Sequence, residues 1–378
     1  MKPPLTEEQI MIRDMIREFA RSEIEPVAQE YNERGEYPKE IISRLGRLGL
    51  FGMMVPESYG GSAAGAVSYS LALQEIAYSC ASIAVTLSVT NLTAEPIMKF
   101  GSDDQKRKFL FPLASGEHVG AFALTEPEAG SDPSSLITTA VKKGRSYIIN
   151  GSKQFITNGG YAGLFIVIAR TSSGRNGLSA FLVPSGTRGL RIGKEEKKMG
   201  LWASNTVGVY FEDCEIPAEN LLGAPGMGLG IALNALDSGR IGIASQAVGM
   251  IGACLHEALA YARERKQFGK AIIRHQAVAH MIADCAVDYE AAGLLTWSAA
   301  SLKDAGAPFS REASIAKLFS SEALIRCAYR ALQIFGGYGY IREQKIERIY
   351  RDARVTTIYE GTSEIQRMVI ARETEREA

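Results

Sequence analysis

The segment Tyr147–Thr157, which reads YIINGSKQFIT, decides what kind of fold the chain adopts. Aromatic and β-branched residues, which are typical of β-strands, stand on both sides of an Asn-Gly pair. Asn150-Gly151 suits the positive φ angles of a type I′ turn, so the segment predicts a β-hairpin with strands at Tyr147–Ile149 and Gln154–Thr157. The middle of the chain is therefore predicted to be a β domain.

Further strands are predicted beside this hairpin. Leu164–Ile168 is a short apolar run typical of a buried strand, and Leu178–Val183 is expected to pair with it. Val207, Val209 and Phe211 alternate with smaller or polar residues. Together these segments predict a compact antiparallel β domain with glycine-rich turns.

The chain on either side has the 3.6-residue period of helices. Thr6–Gln9 has the form of a capping box, and apolar residues follow it at three- and four-residue steps. Two stripes near the C-terminus are interpreted as buried helix faces: Ala244, Ala247, Val248, Ile251, Leu255, Ala258, Leu259 and Ala262, and then Ile315, Leu318, Phe319, Ile325, Ala328, Tyr329 and Leu332. The order α, β, α predicts an α+β fold, mainly α, with domains at 1–119, 120–228 and 229–378.

Composition limits the classes of function. The 378 residues are 46% hydrophobic and 22% charged, which is typical of a globular protein. Lys and Arg number 42 and so do Asp and Glu, so bulk charge favours neither nucleic acid nor an anionic membrane as a partner. No apolar run approaches the ~20 residues of a membrane span, and no signal peptide is recognised. A soluble, cytoplasmic protein is expected.

Cysteine and histidine give no sign of a metal site. The five cysteines are scattered without a Cys-x-x-Cys pair, which is typical of reduced core thiols in a cytoplasm-like compartment. His275 and His280 are five residues apart, not the four that would place both on one helix face. No metal is expected.

Two segments of the β domain are suited to a flat, polar cofactor. Phe122–Asp132, which reads FALTEPEAGSD, leads from a strand into a loop rich in hydroxyl, carboxylate and glycine, where backbone N–H groups can bind an anion or a ring edge. Phe155 and Thr157 place an aromatic ring and a hydroxyl on one side of a strand. An ordinary loop and ordinary β packing remain the alternatives.

Two segments of the helical C-terminal part could contact phosphate. Arg263, Arg265, Gln267, Phe268, Gly269 and Gln276 crowd the end of a long helix, and arginine forks suit phosphate groups. A cation is also favoured at any helix C-terminus, so this cluster has a purely structural alternative. Gln333–Tyr340, QIFGGYGY, ends a helix with three glycines in a spacing that differs from the Rossmann fingerprint.

The last segment of interest is Ile358–Gln366, IYEGTSEIQ. Ser363 and Gln366 have capping-box spacing, so Glu360 is predicted to stand just outside a helix N-terminus, beside a glycine. A carboxylate there could simply favour the helix dipole, or it could act as a base on a fixed turn whose N–H groups hold an oxyanion. Burial would raise the pKa of Glu360 and the dipole would lower it.

Taken together and in this order, the motifs TEPxAGSD, GGxGY and YEGTSEIQ resemble the acyl-CoA dehydrogenase family, and the similarity is greatest to its short-chain and short/branched-chain members. The resemblance implies an N-terminal helical domain, a middle antiparallel β-barrel-like domain and a C-terminal four-helix bundle. It also implies FAD as cofactor, an acyl-CoA thioester as substrate, electron-transferring flavoprotein as electron acceptor, and a homotetramer built as a dimer of dimers.

The resemblance assigns roles to individual residues. Glu360 is the expected base for the α proton, while the β hydrogen leaves as hydride to flavin N5. Flavin or FAD contacts are implied for Phe122, Leu124, Thr125, Ser131, Phe155, Ile156, Thr157, Thr362 and Glu364, and for a neighbouring subunit's FAD at Arg265, Phe268, Gln276, Gln333 and Gly337. Substrate contacts are implied for Ser131, Asp237, Arg240, Tyr359 and Gly361.

Two departures from the family pattern carry information. Many relatives have Trp at Phe155, so the stacking surface is smaller here. Some relatives place the base immediately before the residue matching Arg240, and Gly239 occupies that position in this chain, which leaves Glu360 without a rival.

Other functions on the same scaffold remain open at this stage. An acyl-CoA oxidase, a flavin monooxygenase or a nitroalkane oxidase would differ in how the reduced flavin is reoxidised, although the nitroalkane type is expected to carry Asp at Glu360. A DNA-binding flavoprotein of the same fold would need a basic surface, which the charge balance does not offer. The segment Leu236–Ala244 resembles both straight-chain and branched-chain enzymes, so the acyl group is not specified.

Overall fold

The computed structural model describes residues 4–174 and 177–377. The N-terminal part is helical: α1 (Glu7–Phe19), α2 (Glu25–Arg34), α3 (Lys39–Arg47), α4 (Gly65–Ser79), α5 (Ala81–Phe100) and α6 (Asp103–Ala114). At the start of α1 the Thr6 side chain accepts from the backbone N–H of Gln9, and the Gln9 side chain accepts from the backbone N–H of Thr6, which confirms the predicted capping box.

The middle part is one sheet of eight strands: β1 (Val119–Ala123), β2 (Thr139–Lys143), β3 (Ser146–Thr157), β4 (Ala162–Arg170), β5 (Leu178–Pro184), β6 (Leu190–Glu195), β7 (Thr206–Pro217) and β8 (Leu221–Leu222). Their order is β6-β7-β3-β2-β4-β5-β8, with β1 beside β4. The β4–β5 pairing is confirmed. The sheet is open between β6 and β8 and includes two parallel pairs, β1–β4 and β2–β4, so the wholly antiparallel, barrel-like description is corrected.

The predicted hairpin at Asn150-Gly151 is wrong. β3 runs straight through the pair, and its register against β7 shifts between Ile149 and Gly151, as in a β-bulge. The Asn150 side-chain amide donates to the Asp213 carboxylate (3.1 Å), and the Asn150 side-chain oxygen accepts from the Asp213 N–H (2.8 Å). Both polar groups of the Asn150 side chain are therefore bound to β7. The actual hairpin joins β2 to β3 through Gly144, where φ is +61°.

The C-terminal part is helical again: α7 (Gly228–Glu264), α8 (Gln276–Asp304), α9 (Ser310–Phe335), α10 (Lys345–Ala353) and α11 (Ser363–Glu377). A two-stranded ribbon, β9 (Lys266–Gln267) and β10 (Lys270–Ala271), lies between α7 and α8. The helices α7, α8 and α9 pack against one another, and α11 packs on α9. Although α7 is long and apolar enough to cross a membrane, 78% of its most apolar window is buried inside the protein, as in a core helix.

The two predicted helix stripes have different outcomes. The α7 stripe is core, with Ala247, Val248 and Ile251 buried. The α9 stripe is core only in part: Ala328 is buried and Phe319, Ile325 and Leu332 pack against the core, whereas Tyr329 is 59% exposed. Instead, α9 buries a face of small and polar side chains that includes Lys317. Most residues of this face are small, because α9 packs closely on the Gly- and Ala-rich surface of α7.

The buried core joins the three parts of the chain. Residues of α4 and α5 share one hydrophobic cluster with α7, α8, α9 and α10, and a second cluster joins α5 and α6 to the sheet and to the start of α7. All five cysteines are buried and free. Among residues 4–174 and 177–377 there is no group of three His, Cys, Asp or Glu side chains suited to a metal ion.

Candidate active site

Glu360 lies on a strained turn directly before α11. Its φ is +54°, a left-handed value that is uncommon for a residue other than glycine, and Gly361 follows at +87°. Such a conformation persists only where the surrounding structure holds it, and residues of this kind cluster at functional sites. The left-handed backbone therefore marks the Glu360 turn as a candidate functional site.

Donors from two helices hold the turn. The Gln366 side-chain amide donates to the carbonyls of Glu360 (3.0 Å) and Gly361 (2.9 Å), and the Lys317 ammonium donates to the Gly361 carbonyl (2.7 Å). The predicted capping box at Ser363 and Gln366 is wrong. Thr362 accepts from the Ile365 N–H at the start of α11, while the Ser363 hydroxyl is buried with no partner among the described residues.

The Glu360 carboxyl occupies a space that α7 leaves open. A Cβ atom added to Gly239 would stand 2.5 Å from Glu360 Oε2 and 3.2 Å from a Leu92 methyl group. Oε2 is shielded from solvent and has no hydrogen-bond partner in the described part of the chain. Burial raises the pKa of Glu360 from 4.5 to about 7, although the charges of Arg240 and Lys317 oppose this change. Of the two opposing effects expected from sequence, burial dominates.

Arg240 and Asp237 form a buried pair next to this carboxyl. Arg240 is 4% exposed, and its guanidinium contacts Asp237 and the Ser314 hydroxyl, the latter at 3.2 Å. Asp237 also accepts from Ser310 at 2.9 Å. Burial lowers the pKa of Arg240 and raises the pKa of Asp237. The opposite charges of Arg240 and Asp237 therefore largely compensate each other.

Tyr359, the neighbour of Glu360, is anchored by its phenol, which donates to the Gln246 side chain on α7. Burial, with the Glu360 charge as a second cause, raises the pKa of Tyr359 above its usual range, so the phenol stays neutral. Glu360, Gly361, Tyr359, Asp237 and Arg240 therefore meet in one place, as the resemblance implies.

The predicted flavin residues of the sheet fall into two groups. Phe122 and Leu124 are buried in the cluster that also contains Leu92, which connects them to the surroundings of Glu360. Phe155 is 63% exposed with φ +59°, at a shift in the β3 register. Ile156 is buried in the core of the sheet, so only its backbone is available to a ligand. Thr125 and Thr157 are partly exposed, and Ser131 is exposed.

A buried ion pair fixes the loop that carries Thr125 and Ser131. The Lys153 ammonium is fully buried and donates to the Glu126 carboxylate (2.8 Å) and to the Leu124 carbonyl (3.0 Å). Glu126 also accepts two backbone N–H groups from the Ile137–Thr138 segment. Burial lowers the pKa of Lys153 to about 8, and the Lys153 charge lowers the pKa of Glu126 although burial opposes it.

The remaining predicted FAD residues gather at the far ends of α7 and α9. Arg265 and Gly337 line a cavity of about 550 Å³ together with Tyr261, Gln267 and Tyr338. Phe268 is 94% exposed with φ +51°. Gln276 at the start of α8 and Gln333 near the end of α9 are also exposed. None of the described contacts joins this group to Glu360.

Thr362 and Glu364, the last two predicted FAD residues, lie at the N-terminus of α11, Thr362 directly before the helix and Glu364 in its first turn. The Glu364 backbone N–H, followed by the Thr362 hydroxyl, lowers the pKa of the exposed Glu364 carboxyl. Glu364 is exposed and Thr362 is half-buried.

Two buried lysines of the site lie outside the set predicted from sequence. Lys317 lies beside the apolar stripe of α9 and repeats at helical spacing with Ala313, Ser320 and Leu324, which are buried. A lysine within such a pattern is the signal that would identify it. Lys153 carries no such signal, because Gly151 and Phe155, two residues before and after it in β3, are exposed.

Comparison with known proteins identifies the family. Sequence models of the acyl-CoA dehydrogenase N-terminal, middle and C-terminal domains match residues 6–117, 121–214 and 226–374. An acyl-CoA dehydrogenase of Bacillus subtilis (strain 168) is 49% identical over 97% of this chain and 98% of its own. A short-chain specific acyl-CoA dehydrogenase of Clostridium acetobutylicum is 45% identical over 97% of this chain and 98% of its own.

Solved structures agree. Butyryl-CoA dehydrogenase from Megasphaera elsdenii superposes with a TM-score of 0.97 at 43% identity, covering 100% of both chains. A chain from a structure concerning the electron transferring flavoprotein of Acidaminococcus fermentans gives 0.98 at 45% identity and 100% coverage of both. A glutaryl-CoA dehydrogenase from Mycobacterium smegmatis in complex with FADH2 gives 0.93 at 30%, covering 98% of this chain and 95% of that one. Since every part of the chain is matched, the protein belongs to the acyl-CoA dehydrogenase family.

Proposed function

We propose that this protein is an oxidoreductase that removes two hydrogens from the α and β carbons of short-chain acyl-CoA thioesters, using FAD and giving trans-2-enoyl-CoA, with Glu360 as the α-proton acceptor. One observation carries the proposal. Glu360 is half-buried, and its Oε2 is shielded from solvent, has no partner among the described residues and lies in the space beside Gly239. The family membership supports the reaction type.

The properties of Glu360 suit proton abstraction from a weak carbon acid. A pKa of about 7 places the carboxylate close to the optimum for a general base at neutral pH. Its backbone N–H has no acceptor among residues 4–174 and 177–377, so it is free to bind the thioester carbonyl as negative charge develops there. The rigid turn aligns the base with the α carbon.

The residues available for FAD fit that cofactor. Phe155 offers an exposed aromatic face, and the cavity at Arg265 and Gly337 combines a guanidinium with a glycine-bordered opening suited to a diphosphate. Phe122, Leu124, Thr125, Ser131, Phe155, Ile156 and Thr157 would hold the flavin end, with Thr362 and Glu364 beside it, and Arg265, Phe268, Gln276, Gln333 and Gly337 would hold a neighbouring subunit's FAD. When bound, FAD supplies the redox chemistry by accepting the β hydrogen as hydride.

The substrate would lie along α7 and the Glu360 turn. Ser131, Asp237, Arg240, Tyr359 and Gly361 are the proposed contacts. The internal pairing of Arg240 with Asp237 holds both side chains in place before substrate arrives. The relatives named for short-chain or butyryl-CoA substrates support a short acyl group.

Partners and context are part of the same proposal. Electron-transferring flavoprotein is the proposed electron acceptor, supported by the similarity to a chain from a structure concerning such a flavoprotein. A homotetramer, a cytoplasmic location, a role in fatty acid β-oxidation and domain limits at 1–119, 120–228 and 229–378 are proposed from family membership.

Anaerobic titration tests the proposal. Butyryl-, isobutyryl-, 2-methylbutyryl- and octanoyl-CoA are added to FAD-loaded protein and to its Glu360→Gln variant, and flavin bleaching is followed by absorbance. We expect butyryl-CoA to bleach the wild type and none of the four to bleach the variant, which should retain FAD. Normal bleaching of Glu360→Gln would contradict the base assignment. Reoxidation by oxygen faster than by electron-transferring flavoprotein would instead indicate an oxidase.

A further inference from the structure

Lys317 is a fully buried lysine on α9 that the proposed reaction does not use. Its side chain is 0% exposed, and its ammonium donates to the Gly361 carbonyl at 2.7 Å. It has no ion-pair partner within 4.0 Å among the described residues. A buried charge is costly unless a specific interaction compensates it, so its retention at this place needs a reason.

The carbonyl that Lys317 contacts belongs to the strained turn. Glu360 and Gly361 both have left-handed φ values, and their carbonyls receive donors from Lys317 on α9 and from Gln366 on α11. Hydrogen bonds to a charged donor are stronger than neutral ones. The ammonium therefore makes the stronger single hydrogen bond to the turn, at Gly361, while Gln366 binds the carbonyl of Glu360 itself.

Two cations lower the pKa of Glu360, Arg240 more than Lys317, and they differ in how their own charges are offset. Arg240 faces the carboxyl from α7, but Asp237 pairs with it and offsets its charge. Lys317 faces it from α9, makes no ion pair among the described residues, and apart from Glu360 is influenced by the carboxylates of Glu364 on α11 and Glu322 on α9. Tyr69 on α4 also faces Glu360, and burial, opposed by a hydrogen bond to Ser88, raises its pKa above the usual range, so it stays neutral. The Tyr359 phenol is neutral as well.

We propose that Lys317 is a positioning residue, which holds the Glu360–Gly361 turn through the Gly361 carbonyl and whose charge favours the ionised form of the Glu360 carboxyl. The inference rests on the proposed function, because it assigns a helper to the base named there. Burial lowers the pKa of Lys317 to about 8 while Glu360 raises it, so the ammonium is charged at neutral pH, where the base works. The hydrogen bond positions the turn and the charge favours the Glu360 carboxylate, so mutation can separate the two effects.

Two variants separate them. Lys317→Met removes donor and charge, whereas Lys317→Gln removes the charge and keeps a donor. The control is Lys345→Met on α10, which removes a partly buried lysine that pairs with Glu25 and Glu257, away from the turn. The rate of flavin reduction by saturating butyryl-CoA is measured from pH 5 to 9, with thermal unfolding and FAD absorbance recorded for each protein.

In both Lys317 variants the acid limb of the rate profile is expected to move to higher pH by about one unit, because a nearby cation no longer stabilises the carboxylate. At high pH, Lys317→Met should stay about tenfold slower than wild type, and Lys317→Gln within about threefold, because the amide still restrains the turn. Lys345→Met should lose stability without moving the limb.

An unmoved acid limb in folded, FAD-loaded Lys317→Gln would overturn the proposal, even if Lys317→Met fails to fold. If the Lys317 variants lose stability but keep the wild-type acid limb and rate, Lys317 is a structural residue and the proposal is likewise overturned. The Glu360→Gln titration separates this failure from that of the proposed function. Normal flavin bleaching in Glu360→Gln would contradict Glu360 as the base. Lost bleaching in Glu360→Gln, together with an unmoved acid limb in the Lys317 variants, would contradict only the role of Lys317.

Discussion

At the scale of single residues, Glu360 is held against its own preferences. Its positive φ and its buried carboxyl are both unfavourable, and its raised pKa records the cost of burial. A carboxyl whose pKa rises on folding stabilises the folded state fully below its unfolded value, 4.5, and this contribution is lost as pH rises through about 7. The chain therefore gives up stability at neutral pH for a usable base.

This cost can be measured with Glu360→Gln. At pH 8 the amide stays neutral whereas the wild-type carboxyl is charged, so the variant is expected to be more stable by up to about 3 kcal/mol. Near pH 4.5 the two proteins should unfold alike. Denaturant unfolding at both pH values checks this, with Glu117→Gln on the surface as control. Equal stability of Glu360→Gln and wild type at pH 8 would contradict the raised pKa.

Gly239 is required for its lack of a side chain. Gly239→Ala would place a Cβ 2.5 Å from Glu360 Oε2, so the carboxyl must move, and we expect flavin reduction by butyryl-CoA to slow at least about tenfold. Gly230→Ala on the same helix meets nothing within 4 Å and serves as the matched control. It should keep the wild-type rate and gain up to about 1 kcal/mol of stability. Equal rates for the two variants would refute the steric argument.

At the scale of elements, the Asn150-Gly151 bulge shows how a partner strand overrides a local preference. Asn-Gly favours a two-residue turn, but β7 provides Asp213 to bind both polar groups of the Asn150 side chain, and β3 continues through the pair. Gly151 has φ +143°, and an added Cβ would meet Thr138 Oγ1 at 2.5 Å. The glycine thus serves the bulge and not a turn.

Gly151→Ala tests this element. We expect it to lower the free energy of unfolding by about 2 kcal/mol or more, because the new methyl group clashes with Thr138, directly before β2, at a φ that alanine disfavours. Gly144→Ala, in the hairpin that forms, meets nothing within 4 Å and should cost only the strain of φ +61°, about 1 kcal/mol. Equal losses, measured by chemical denaturation, would contradict the bulge assignment.

At the scale of the whole molecule, the exposed surface of one chain indicates where a second chain would bind. Phe268 is 94% exposed, and its ring makes an edge contact with His275. The apolar stripe of α9 is also left partly uncovered, with Tyr329 59% exposed. Large exposed apolar residues of this kind are typical of interaction surfaces, which agrees with the proposed tetramer and a shared FAD site.

Phe268→Ser tests the shared site. The monomer fold should be unchanged by circular dichroism, because Phe268 packs on almost nothing, whereas FAD affinity is expected to fall at least about tenfold through lost ring contact. Phe111→Ser, at a ring that is 46% exposed on α6, is the control and should bind FAD normally. Unchanged FAD affinity in Phe268→Ser, measured by fluorescence titration, would remove this residue from the cofactor site.

Sequence by itself determined the α, β, α order, the capping box at Thr6, the strand pair β4–β5, the buried face of α7 and the position of Glu360 before a helix. These features depend on local periods and on short motifs, which a chain carries wherever its partners lie. The open sheet, the bulge at Asn150-Gly151, the buried polar face of α9, the Lys317 contact and the pKa of Glu360 were decided by tertiary structure. Each depends on which distant segment packs against a residue and excludes water from it, and no local pattern specifies that.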